Sequence, residues 1–210
     1  MCADLLELGK AIKELESIGT EYLHVDIMDG SFVPNFTLGT DLCRILKGAT
    51  KIPLDIHLMV DKPEDKVSWF FAGEGDFVSF HIESTVCPEK VIEGIRSTGA
   101  KPMIAVSPST GETEIKKYLP LVDGVLVMTV NPGFAGQKYI PETLEKVRRI
   151  KMLAPHLPIE VDGNVNPATA EVMSASGADI FVLGTSGIFR KDVTITEAAA
   201  QMRKLLGAIE

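Results

Sequence analysis

The residues able to do chemistry stand at the ends of short apolar runs. In Leu23-His24-Val25-Asp26-Ile27-Met28 polar and apolar residues alternate. His24, Asp26 and Met28 therefore share one face of a strand, and Leu23, Val25 and Ile27 share the other. A polar inner face behind an apolar outer one suits a strand whose end holds a reacting site. His57 closes the run Leu54-Asp55-Ile56-His57, and Asp162 closes Ile159-Glu160-Val161-Asp162. Two imidazoles and two carboxylates make a workable ligand set for one divalent transition metal ion. No two of the four form a local metal motif; the signal is their shared placement at strand ends.

Carboxylates on two distant strands suit one class of reaction. To invert a carbon beside a ketone, Asp26 and Asp162 would remove a proton from one face and return one to the other. The intermediate is an enediolate, whose charge a metal ion neutralises as a Lewis acid. Met28, Met59 and Met128 each sit at or just past a strand end. Their polarizable sulfur would wall such an intermediate without offering a competing proton, and ordinary core packing is the plainer use of the same residues. A phosphate is expected at backbone-rich turns late in the chain, at Asp162-Gly163-Asn164 and Gly184-Thr185-Ser186-Gly187. Gly133-Phe134-Ala135-Gly136 reads as a mobile loop able to close over a substrate.

These groups need a scaffold that brings many strand ends to one place. Strands are predicted near 21–27, 53–58, 76–81, 101–106, 123–128, 158–162 and 179–183. Helices are predicted near 4–17, 40–47, 63–72, 88–98, 111–118, 141–153, 167–176 and 194–208. Asp4 reads as an N-cap with Glu7 completing a capping box, and Gly99, Gly163 and Gly177 punctuate the joins. The strands are continuous apolar runs such as Val125-Leu126-Val127, as when both faces of a parallel sheet are buried. Their alternation with helices predicts an α/β fold, a TIM (β/α)8 barrel formed as one domain over residues 1–210. Such a barrel opens on a strand, whereas this chain opens on a helix. Met1-Cys2-Ala3 read as the loop after a first strand that these residues do not include. The segment Ser31 to Phe36 is too long and too apolar for a mere connector and is expected to lean over a pocket.

Bulk properties narrow the partners. Of 210 residues, 45% are hydrophobic, enough for a full core, and the net charge of −8 argues against a nucleic-acid surface. No unbroken apolar run is long enough to span a membrane, and no secretory leader pattern opens the sequence. Cys2, Cys43 and Cys87 are scattered without a CxxC, which points to reduced thiols in a cytoplasmic protein. Three polar residues are left with weaker readings. His81 either lines the mouth or makes a structural hydrogen bond. Asp29 either orients a ligand histidine or holds the turn at Gly30. His156 sits in a loop with no special role.

The segments HVDIMDGSFVPN from His24, LDIHLMV from Leu54, VMTVNPGFAGQKYIPE from Val127, IEVDGN from Ile159 and LGTSGIF from Leu183 resemble the ribulose-phosphate 3-epimerase family, in the family's order and across nearly the whole chain. The resemblance implies a TIM barrel that interconverts D-ribulose 5-phosphate and D-xylulose 5-phosphate in the pentose phosphate pathway, usually as a homo-oligomer. It implies that His24, Asp26, His57 and Asp162 bind zinc, iron, manganese or cobalt, and that Asp26 and Asp162 are the acid–base pair. Substrate contacts would come from His57, Met28, Met59 and Met128, from Gly133, Phe134, Ala135 and Gly136, and from Gly163, Asn164, Gly184 and Thr185. Ala135 and Asn164 stand where the family often has glycine, and Ser107-Pro108 where it usually has Asn-Pro. Those departures leave open the sister activity on D-allulose 6-phosphate. The missing first strand leaves open a second alternative, a sugar-phosphate binder that no longer turns over.

Overall fold

Each of the seven apolar runs becomes a parallel strand of one curled sheet. In the computed structural model, which describes residues 2–207, these are β1 (Leu23–Asp29), β3 (Leu54–Met59), β4 (Phe77–His81), β5 (Lys101–Val106), β6 (Gly124–Met128), β7 (Ile159–Asp162) and β8 (Ile180–Phe181). The eighth strand, β2 (Phe36–Thr37), was not expected from the sequence. It pairs antiparallel with the end of β1, through Met28–Thr37 and Asp29–Phe36. The sheet order is β2-β1-β3-β4-β5-β6-β7-β8, so the six connections between the seven parallel strands all join sheet neighbours, as in a TIM barrel.

The strand faces divide the core in two. Leu23, Val25, Ile27, Leu54, Ile56, Leu58 and their counterparts pack outward against the helices. Phe77, Met103, Ala105, Leu126 and Met128 pack inward and fill the barrel. Buried faces on both sides explain why the strands read as unbroken apolar runs.

The helices are α1 (Leu8–Ser17), α2 (Thr40–Ala49), α3 (Pro88–Ser97), α4 (Thr143–Leu153), α5 (Ala170–Ala175) and α6 (Ile195–Leu206). Two expected helices are absent as such. Residues 63–72 form two short 3-10 segments, Pro63–Asp65 and Val67–Phe70, held between left-handed Lys62 (φ 48°) and Phe71 (φ 56°). A Pro-led stretch ending in three aromatics has weak helix propensity, and its left-handed ends allow it little length. Residues 111–118 likewise give only a 3-10 turn at Glu112–Glu114, followed by another at Leu119–Leu121 around Pro120. Asp4 does cap, accepting from Leu6 N at 2.9 Å, but it caps a 3-10 turn. A full capping box forms at Thr194 and Glu197, which open α6. Among the described residues no helix is long and apolar enough to cross a membrane.

The barrel is not closed. Among the described residues no strand joins β8 to the free edge of β1. A cleft of about 500 Å³ separates the two edges, walled by α1 through Leu8, Ile12 and Leu15 and by α6 through Ala199 and Met202. This is the position where a first strand would complete an eight-stranded barrel, in keeping with the opening read from the sequence.

Candidate active site

The site follows from the register of two neighbouring strands. On β1 and β3, His24 stands opposite Asp55, Asp26 opposite His57, and Met28 opposite Met59. Alternation points all six side chains into the barrel, so three polar or sulfur-bearing rungs rise toward the C-terminal mouth. Across the barrel, β7 supplies Asp162 beside Met128 of β6, with Glu160 one rung below beside Leu126.

At the middle rung four side chains converge. Asp26 Oδ1 lies 3.3 Å from His24 Nε2 and 3.4 Å from His57 Nδ1. Asp162 Oδ2 lies 3.9 Å from His24 Nε2 and 3.7 Å from His57 Nδ1. One ligating atom from each of the four falls within 4.8 Å of every other. His24 Nε2 and His57 Nδ1 are buried and have no hydrogen-bond partner. Two orphaned ring nitrogens aimed at two carboxylate oxygens are the donor set a divalent cation accepts, so the residues present fit a metal ion.

The remaining ring nitrogens are held from behind. His24 Nδ1 is hydrogen-bonded to Asp55, which is itself buried. His57 Nε2 lies 2.9 Å from His81 Nε2. His81 is fully buried and packs its ring on His57, so it makes a structural hydrogen bond and does not line the mouth. Asp29 holds the turn: its carboxylate accepts from the Ser31, Phe32 and Asp61 amides and from Lys66, with no histidine among its partners.

Electrostatics split the carboxylates. Burial pushes Asp26 up, but the facing imidazoles of His24 and His57 hold it well below the usual carboxylate range. Burial pushes Asp162 up and prevails over the charges of His24 and His57, which Asp26 and Asp55 in part oppose. Glu160 is pushed far up by burial and by Asp55. Burial pulls the His24 imidazole down, but Asp55, Asp26 and Glu160 together raise it well above its ordinary value. A cluster that draws a proton onto a buried imidazole is one that calls for positive charge.

Above the cluster lies a cavity of about 80 Å³. It is lined by Asp26 and Asp162, by Met28, Met59 and Met128, by Gly133, Phe134, Ala135 and Gly136, and by Gly163, Asn164, Gly184 and Thr185. The cavity thus takes in every site residue predicted from the sequence except His24, which lines the neighbouring cleft, and His57, which is fully buried; both meet Asp26 and Asp162 in the cluster. Among the described residues no lysine or arginine lines it. The segment 31–36 does lean over the pocket: Val33 and Phe32 pack on Met28 and Met59, and Asn35 Nδ2 donates to Gly133 O at 2.7 Å. Ser186 lines the cavity from within the expected turn, whereas Gln137, Val130 and Asn131 also line it and were missed. So were Asp55 and Glu160 below it. Their signal was present, since Asp55/His57 and Glu160/Asp162 repeat the i, i+2 spacing of His24/Asp26 on one strand face.

Comparison with known proteins agrees with this geometry. Solved structures with the same fold include 3-keto-L-gulonate-6-phosphate decarboxylase from Vibrio cholerae, with a TM-score of 0.70 at 12% identity over 95% of this chain and 92% of that one. Another is 3-hexulose-6-phosphate synthase from Salmonella typhimurium, with a TM-score of 0.67 at 15% identity over 95% and 93%. At such identities these two attest the fold alone, and it is the TIM barrel. Closer in sequence is the ribulose-phosphate 3-epimerase of Methanocaldococcus jannaschii, 41% identical over 196 residues that cover 91% of this chain and 82% of that protein. The ribulose-phosphate 3-epimerase of Treponema pallidum is 40% identical over 190 residues, covering 89% and 87%. The model of the ribulose-phosphate 3 epimerase family matches residues 1–189. With a site of two histidines and two aspartates on the expected strands, the chain belongs to the ribulose-phosphate 3-epimerase family.

Proposed function

We propose that the chain is a metal-dependent isomerase that interconverts D-ribulose 5-phosphate and D-xylulose 5-phosphate by inverting C3. The observation that carries the reading is that Asp26 and Asp162, from strands on opposite walls, reach both the histidine pair and one cavity. The names borne by the relatives support the five-carbon substrate.

His24, Asp26, His57 and Asp162 would hold the ion, and zinc, iron, manganese and cobalt all suit two imidazoles and two carboxylates. When bound, the ion supplies positive charge to the oxygens that become the enediolate. The proton transfers belong to the chain. One of Asp26 and Asp162 takes the C3 proton from its side of the sugar. The other, protonated, returns a proton to the opposite face, and the roles exchange in the reverse direction. Each turnover consumes and restores one proton, so the pair is reset by exchange with solvent. Met28, Met59 and Met128 exclude water and offer no proton of their own. The amides around Gly163 and Gly184 hold the phosphate, and the loop from Gly133 to Gly136 covers the sugar.

The test is proton exchange at C3. Metal-loaded protein given D-ribulose 5-phosphate in D₂O should incorporate deuterium at C3 and yield D-xylulose 5-phosphate, followed by NMR. Absence of both overturns the reading, and exchange only with D-allulose 6-phosphate moves it to the six-carbon substrate. Asp162→Asn should lose turnover by about 10²- to 10⁴-fold with its circular dichroism unchanged.

A further inference from the structure

Behind His57 lies a chain of buried polar groups that the proposed proton transfers do not use. His57 presents Nδ1 to Asp26 and Asp162, and its Nε2 meets His81 Nε2 at 2.9 Å. The two rings stack, with centroids 5.1 Å apart and planes 27° from parallel, and neither side chain reaches solvent. On its far side His81 Nδ1 lies 3.1 Å from Glu83 Oε2 and, more loosely, 3.4 Å from Ser107 Oγ. The other oxygen of Glu83 accepts from the Ser107 amide at 2.9 Å and from the Thr110 hydroxyl. Phe32 packs its ring against His81 at 4.8 Å between centroids, on the side of the loop that overhangs the cavity.

The proton order along this line has one consistent solution. An ionised carboxylate only accepts, so His81 Nδ1 carries the proton that faces Glu83. The neutral His81 ring then has a lone pair at Nε2. Two facing nitrogens 2.9 Å apart need one donor and one acceptor, so the shared proton sits on His57 Nε2. That leaves the lone pair of His57 at Nδ1, on the side of Asp26 and Asp162. Reversing any link puts a proton on Nδ1, where it would occupy the space of a cation.

We infer that Glu83, acting through His81, is a positioning residue that sets the tautomer of His57 and so presents Nδ1 as a metal ligand. Glu83 stands at the head of the relay because it is clamped. The Ser107 amide is a fixed donor, and this fixes which carboxylate oxygen turns to His81. The relay matches the device on the other ligand, where Asp55 holds His24 Nδ1, but it works through one more ring. Outer partners of this kind typically change metal affinity by about 10- to 100-fold. The inference rests on the metal-site reading above, and the experiment below separates the two.

Glu83→Gln tests it. A glutamine whose oxygen keeps the Ser107 amide must turn its NH₂ group toward His81 Nδ1, which reverses every link. In ¹⁵N-labelled wild-type protein, His81 should be protonated at Nδ1 and bare at Nε2. In Glu83→Gln the two nitrogens should exchange these states, and the zinc dissociation constant, read by chelator competition, should rise about 10- to 100-fold. His81→Phe keeps the stack on Phe32 but removes the acceptor, and it should show a similar weakening with an unchanged circular dichroism spectrum. A wild-type His81 protonated at Nε2 overturns the relay. So does a folded Glu83→Gln protein that binds zinc as the wild type does. Wild-type protein that binds zinc but does not exchange C3 protons leaves the relay standing and overturns the functional reading instead.

Discussion

His24 and Asp55 face each other directly across the β1–β3 ladder, and the carboxylate holds the imidazole at Nδ1. The bond turns Nε2 toward Asp26 and Asp162. Removing it frees the ring to rotate and to change tautomer. Asp55→Ala should weaken zinc binding about 10- to 100-fold, measured by competition with a chromogenic chelator. Affinity equal to that of the wild type would mean that packing alone orients His24.

Glu160 lies beside this pair, fully buried, with its carboxyl pushed far above the usual range by burial and by Asp55. Burial disfavours its charged form, so its amide isostere should be tolerated. Glu160→Gln should cost less than about 1.5 kcal/mol of stability in urea unfolding. Glu160→Ala, which opens a cavity, should cost about 2–3 kcal/mol. Equal losses in the two variants would show that a charged carboxylate is needed there.

Gly163 follows Asp162 with φ at +127°. A Cβ there would lie 2.7 Å from Val130 Cγ2 and 2.8 Å from both Thr129 Oγ1 and the Val130 amide nitrogen. Neither the backbone nor the hydroxyl can yield, because Thr129 Oγ1 donates to Gly163 O at 2.5 Å. Gly163→Ala should destabilise the protein by roughly 1–3 kcal/mol. It should lower kcat by a larger factor than that loss alone explains, because the clash displaces Asp162. Parallel unfolding and turnover measurements check both parts.

Glu83 gives a pH dependence of stability. Burial pushes its carboxyl up, but hydrogen bonds from His81, Thr110 and the Ser107 amide bring it from 4.5 down to about 2. The folded value lies below the unfolded one. Its stabilisation is therefore complete above about pH 4.5 and is lost as pH falls through 2. In metal-free protein, the difference in urea midpoint between wild type and Glu83→Gln should shrink on acidification below about pH 4.5. A difference that stays constant down to pH 3 would show that the carboxylate gains nothing on folding.

The sequence by itself determined whatever depends on backbone periodicity. Alternation put His24 and Asp26 on the inner face of β1 and Leu23, Val25 and Ile27 on the outer one, because side-chain direction in a strand has a period of two whatever surrounds it. The seven parallel strands, the positive-φ glycines Gly99, Gly163 and Gly177 at the joins, and the opening beside β1 were likewise legible, since apolar runs and turn residues mark them locally. Tertiary structure decided what depends on which strands meet. The pairing of Asp26 with His57 and of His24 with Asp55 is a matter of register between segments some 30 residues apart, and no local pattern states a register. The same holds for the stack of His57 on His81 and for the reach of Glu83 to the loop at Ser107 and Thr110. It holds too for the stretches at 63–72 and 111–118, which helical spacing favoured and which left-handed ends and a proline reduced to short 3-10 turns. Strand periodicity is a property of one segment, whereas a buried site is a property of the curled sheet that brings its segments together.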